Sequence, residues 1–122
     1  MSDRYRCIKD YQSPYPESIL FSEGEVVVVG EEFDQDPDWQ DWVRCQAGDG
    51  REAWVPKQYL KINKETGLFL RDYDARELNL TVADVIHISD IVNGFGMAQK
   101  QNGDQGWAPL NHLEIYPEIL RG

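Results

Sequence analysis

Six carboxylates fall between residues 31 and 41 (Glu31, Glu32, Asp34, Asp36, Asp38 and Asp41), with no base among them and one tryptophan, Trp39. An acidic run of this kind is in most chains a solvated loop, but it can also steer and orient a cation. Just beyond it, Trp42 opens a stretch that closes on Trp54-Val55-Pro56-Lys57-Gln58-Tyr59. Where proline opens a single tight turn, it shares a face with the residue three positions on, so Pro56 and Tyr59 are expected side by side. Catalysis finds no support. Both histidines, His87 and His112, lie far from Cys7 and Cys45 in sequence, and neither zinc spacing nor a phosphate-cradling glycine loop occurs. Exposed loop acids are poor acid–base catalysts. No catalytic residue, metal or cofactor is expected.

The elements that position these residues come twice. Asp10-Tyr11 and Asp72-Tyr73 are 62 positions apart, and Trp54-Val55-Pro56 and Trp107-Ala108-Pro109 are 53 apart, so the second copy is 9 residues shorter between anchors. Repetition fixes architecture before propensity does. Short strands are expected at 4–9, 25–30, 42–46 and 52–56, and again at 67–71, 84–89, 96–100 and 105–109. Asn102-Gly103 and Gly48-Asp49-Gly50 mark hairpins. Single turns are expected at Pro56 to Tyr59 and Pro109 to His112. No segment holds a helical period. The fold class predicted is all-β, with two small five-stranded barrels in tandem, one over residues 1–62 and one over 63–122. A linker of about five residues, 63–67, would restrict the two rather than free them. The tail beyond Tyr116, with Ile119-Leu120, would lie on the second barrel or fray.

The chain carries 22 acids against 12 Lys and Arg, net −10. Both halves are acidic, with 13 acids and 7 bases in 1–62 and 9 and 5 in 63–122. Such a surface repels phosphate, so nucleic acid and anionic membrane are poor partners and a basic peptide is a better one. Cys7 and Cys45 read as buried free thiols of a reducing compartment, and no apolar run is long enough to span a membrane, so a cytoplasmic location is expected.

With the anchors placed, the sequence resembles a tandem pair of Src-homology-3 (SH3) domains. The opening A-L-Y-D-Y motif appears as Cys7-Ile8-Lys9-Asp10-Tyr11 and Phe69-Leu70-Arg71-Asp72-Tyr73. The L-x-F-x-x-G-[DE] motif appears as Ile19 to Glu25 and Leu78 to Asp84, the tryptophan-headed strand as Trp42-Val43-Arg44-Cys45 and Phe95-Gly96-Met97-Ala98, and the closing motif as Ala53 to Tyr59 and Gly106 to His112. The resemblance implies a non-catalytic interaction module. Its first-copy groove would consist of Tyr11, Trp42, Pro56, Gln58 and Tyr59, holding a proline-containing peptide whose basic residue faces Glu17, Asp38 and Asp41. The second copy departs further from the pattern, with Phe95 for tryptophan, His112 for tyrosine and Ala83 for glycine. Its set, Tyr73, Phe95, Pro109, Asn111 and His112, is expected to be weak or vestigial. Lys9 and Arg71 replace a groove tyrosine in both copies. The alternative is a rigid assembly subunit whose atypical surfaces pack on each other or on a partner protein.

Overall fold

A computed structural model describes residues 4–116; Pro117 to Gly122, where the apolar tail was expected, lie outside the described residues. The described chain is all-β apart from two single 3₁₀ turns. The strands are β1 (Arg4–Cys7), β2 (Leu20–Phe21), β3 (Val26–Glu32), β4 (Trp42–Gln46), β5 (Glu52–Pro56), β6 (Leu60–Asn63), β7 (Thr66–Phe69), β8 (Tyr73–Asp74), β9 (Val85–Val92), β10 (Phe95–Lys100), β11 (Gln105–Pro109) and β12 (Leu113–Ile115). The turns, Lys57–Tyr59 and Leu110–His112, follow Pro56 and Pro109 as expected, because the fixed φ of proline launches them.

The strands do not divide at the middle of the sequence. One five-stranded sheet runs β5-β4-β3-β7-β6 and the other β11-β10-β9-β1-β12. The chain accordingly separates into a contiguous unit, Glu17–Arg76, and a split unit made of Met1–Pro16 and Glu77–Gly122. This corrects the expected division into 1–62 and 63–122. The reason is local. Residues 63–67 are not a linker, because β6 and β7 pair across a two-residue turn, from Leu60↔Phe69 to Asn63↔Thr66. Lys64 takes φ 57 there, a left-handed conformation that neither glycine nor asparagine announces at that position. Once Thr66 to Phe69 folds back as a hairpin it fills the first-strand place of the contiguous unit, and β1 fills that of the split unit. Each barrel thus takes its opening strand from the other repeat.

In the contiguous unit, β7 lies between β3 and β6, and Phe69 stacks on Phe21 with ring centroids 4.8 Å apart. The two ends of the unit are tied by β2 and β8, which pair Leu20↔Asp74 and Phe21↔Tyr73. In the split unit, Cys7, Leu78, Leu80, Ile86, Ile88, Ala98, Ala108 and Leu113 form the core, with Tyr5 and Tyr11 packed against it. In each unit the acid just before β3 or β9 meets a base from the hairpin of the next two strands: Arg51 bonds Glu25, and Lys100 Nζ lies 3.9 Å from Asp84. Cys7 and Cys45 are both free and buried.

Ala83 sits at φ 82 where the first repeat has Gly24 at φ 86. A Cβ in that region costs roughly 1–2 kcal/mol, so Ala83→Gly should raise the unfolding free energy by about 1 kcal/mol after the extra chain entropy of glycine. Urea unfolding would measure it, and an unchanged midpoint would mean that the turn carries no strain.

Candidate functional site

The first-copy groove residues do not come together as the sequence suggested. Trp42 and Pro56 are direct cross-strand partners, and the 3₁₀ turn carries Tyr59 beside them, but the tyrosine that joins this set is Tyr73. The rings of Tyr59 and Tyr73 meet edge to face at 5.6 Å, and the Tyr73 hydroxyl donates to the Trp54 carbonyl at 2.8 Å. Tyr11 belongs instead to the split unit, with Phe95, Pro109 and His112. Phe95 pairs with Pro109 across β10 and β11, and the rings of Tyr11 and His112 lie 5.1 Å apart. The exchange of opening strands carries each tyrosine with it. Gln58 and Asn111 are exposed.

The contiguous unit's set is closed to solvent, whereas in the split unit Phe95 and Pro109 are buried and Tyr11 and His112 are half-buried. Trp42 is 6% exposed, Tyr59 7%, Tyr73 4% and Phe95 5%, and Pro56 and Pro109 are fully buried. Arg71, read from the sequence as a missing groove wall, places its guanidinium 4.5 Å from the centre of the Tyr59 ring, a cation–π distance. The basic character of that position was legible, but its stacking partner was not.

The acidic loop is built on rings. Phe33 packs against Trp54 edge to face at 5.3 Å and against Trp39 at 6.1 Å, while Arg44 lies over Trp54 at 5.6 Å. Its carboxylates are partly answered from within the unit. Lys57 Nζ bonds Glu32 at 2.6 Å and lies 3.9 Å from Asp41, and the Glu32 bond holds the lysine above its ordinary pKa. Asp36 accepts from the Asp38 amide at 2.9 Å. Glu17 is exposed at the start of the contiguous unit.

The split unit holds a polar cluster that sequence reasoning missed. Glu77 Oε1 accepts from the Tyr11 hydroxyl at 2.6 Å and the Ser13 hydroxyl at 3.2 Å, and Asn79 Oδ1 accepts from the Ser13 amide at 2.7 Å. Burial pushes the Glu77 carboxyl above its usual range and the Tyr11 phenol upward too. His112 Nδ1 faces the carbonyl oxygens of Lys9 and Asp10 at 3.1 Å each, so it is the protonated, donating nitrogen. These bonds fasten residues 9–13 to the second repeat. Their signal in the sequence was only polar residues in a loop.

A family model described as the variant SH3 domain matches residues 4–63. Residues 4–63 carry a variant SH3 domain. No curated protein and no solved structure matched the chain. The SH3 match spans both compact units, with 4–16 in the split unit and 17–63 in the contiguous one. SH3 domains are protein-interaction modules, generally non-catalytic, and typically bind proline-rich peptides of other proteins. Among the described residues no helix is long and apolar enough to cross a membrane.

Proposed function

We propose that the chain is an assembly module of the SH3 type, a non-catalytic subunit that meets partner proteins through its outer sheet surfaces and acidic loops rather than through free peptide grooves. The burial of Trp42, Tyr59, Tyr73 and Phe95 carries this reading. A proline ring needs open aromatic walls to slot between, and these four rings are interior. The two buried free thiols suit a reducing compartment, and we place the protein in the cytoplasm on that ground.

The second reading keeps the peptide. Trp42, Pro56, Tyr59 and Tyr73 do gather in one unit, and Glu31, Glu32, Asp34, Asp38 and Asp41 of the same unit are exposed to a basic side chain. Titration of the whole chain with a panel of basic proline-rich peptides, read by amide shifts, separates the two. The assembly reading expects no saturable shifts at Trp42 or Tyr59. Binding that Trp42→Ala weakens at least 30-fold, as loss of a central aromatic anchor does, would establish the groove instead.

A further inference from the structure

The two opening strands are exact counterparts in register. In the split unit Tyr5 faces Ile86 and Ile115, and Cys7 faces Leu113; in the contiguous unit Gly67 faces Val27 and Ile62, and Phe69 faces Leu60. Tyr5 therefore corresponds to Gly67, and Cys7 to Phe69. At the first position the split unit accepts a tyrosine, while the contiguous unit accepts only glycine, since a Cβ on Gly67 would come 2.8 Å from Val29 Cγ2, 3.5 Å from Leu60 Cδ2 and 3.5 Å from Val27 Cγ2. Valine is branched at Cβ and cannot swing a methyl away without leaving its rotamer. At the second position the requirement reverses. Phe69 fills the contiguous core, 1% exposed and stacked on Phe21 and Tyr73, whereas Cys7, also 1% exposed, sits in a core of leucines, isoleucines and alanines.

We propose that the two first-strand slots are strand-binding sites with opposite size requirements, and that Tyr5 with Cys7 and Gly67 with Phe69 are the residues that assign each strand to its slot. In the collinear arrangement Tyr5 would be driven into Val29, and Cys7 would leave a void beside Phe21. The split core would at the same time have to take Phe69 in place of a thiol. Each of the three mismatches is a packing fault of a recognised kind, two overfilled and one hollow. The ligand class of the split slot is an extended segment with a bulky ring followed two residues later by a small side chain. That of the contiguous slot is the reverse.

Cross-strand cysteines in the full-length chain test this, because directly opposed antiparallel positions lie within disulfide reach. Arg6 opposes Glu114 in the observed ladder, and in the collinear arrangement it would oppose Lys61, the present partner of Leu68. The chain with Arg6→Cys and Glu114→Cys should close an intramolecular disulfide, mapped by mass spectrometry, and the chain with Arg6→Cys and Lys61→Cys should not. Adding Tyr5→Gly, Cys7→Phe, Gly67→Tyr and Phe69→Ala should interchange the two results. If the Glu114 pair still closes after that fourfold change, chain connectivity and not side-chain volume assigns the strands, and the proposal fails. It fails equally if the Lys61 pair closes in the native background. Should the fourfold variant not fold, Gly67→Ala decides. It should lower the folding equilibrium constant at least tenfold, and Gly48→Ala, with open space where its Cβ would stand, should leave it nearly unchanged. Equal effects at the two glycines would overturn the size requirement.

Discussion

A fragment spanning residues 17–76 is expected to fold alone, and one spanning 4–63 is not, although the family match covers the second. The contiguous unit contains its own complete barrel: Phe21, Val27, Cys45, Val55, Leu60, Phe69 and Tyr73 are all buried, and β2 and β8 tie its ends together. Residues 4–63 lack Phe69 and Tyr73. They offer instead Cys7 where the core needs a ring and Tyr5 where it needs glycine. A barrel of about 60 residues is only marginally stable, with a few kcal/mol to spare, and loss of a buried phenylalanine alone removes roughly 3–5 kcal/mol. Thermal unfolding by circular dichroism and amide dispersion would show the difference. A cooperative transition in 4–63 with none in 17–76 would mean that the barrels close collinearly in solution.

Phe69→Ala in the whole chain should destabilise the contiguous unit by about 3–5 kcal/mol, whereas Cys7→Ala should cost the split unit about 1 kcal/mol. The contrast follows from what each side chain fills. Phe69 stacks on Phe21 and Tyr73 at centroid distances of 4.8 and 6.1 Å, and an alanine would leave both rings facing a void. Tryptophan emission separates the units, since Trp39, Trp42 and Trp54 lie in the contiguous one and Trp107 in the split one. Replacing Trp107 by phenylalanine leaves a signal from the contiguous unit alone, and its urea midpoint should fall sharply in Phe69→Ala. A midpoint unmoved by that change would mean that β7 does not belong to this core.

Much of the fold was legible before any coordinates. The repeat offset of 62 between the opening motifs reappears in both ladders as Tyr5 against Gly67 and Cys7 against Phe69. The two 3₁₀ turns after proline and the buried thiols were legible as well. The partner of each opening strand was not, because alternation shows which face of a strand is buried and not which sheet receives it. Asn63 to Gly67 reads equally as linker or as hairpin when the left-handed residue is a lysine. The shortest strands, Leu20–Phe21 and Tyr73–Asp74, are two residues long and carry no period to detect. For the candidate site, the order of the acids and rings along the chain is plain in the sequence, but their neighbours in space are not. Burial of Trp42, Tyr59 and Tyr73 depends on packing across many residues and leaves no local mark.

The pairing of β1 also orders events during synthesis. Arg4 to Cys7 is made well before its neighbours β9 and β12, and Cys7 waits for Leu113 more than a hundred residues later. At ribosomal speeds of roughly 5–20 residues per second, that delay lasts on the order of 5–20 s. Residues 17–76 emerge whole within the interval and can close without help. The nascent chain therefore carries an unpaired strand ahead of a finished barrel, and its last rungs form only when translation has reached Ile115.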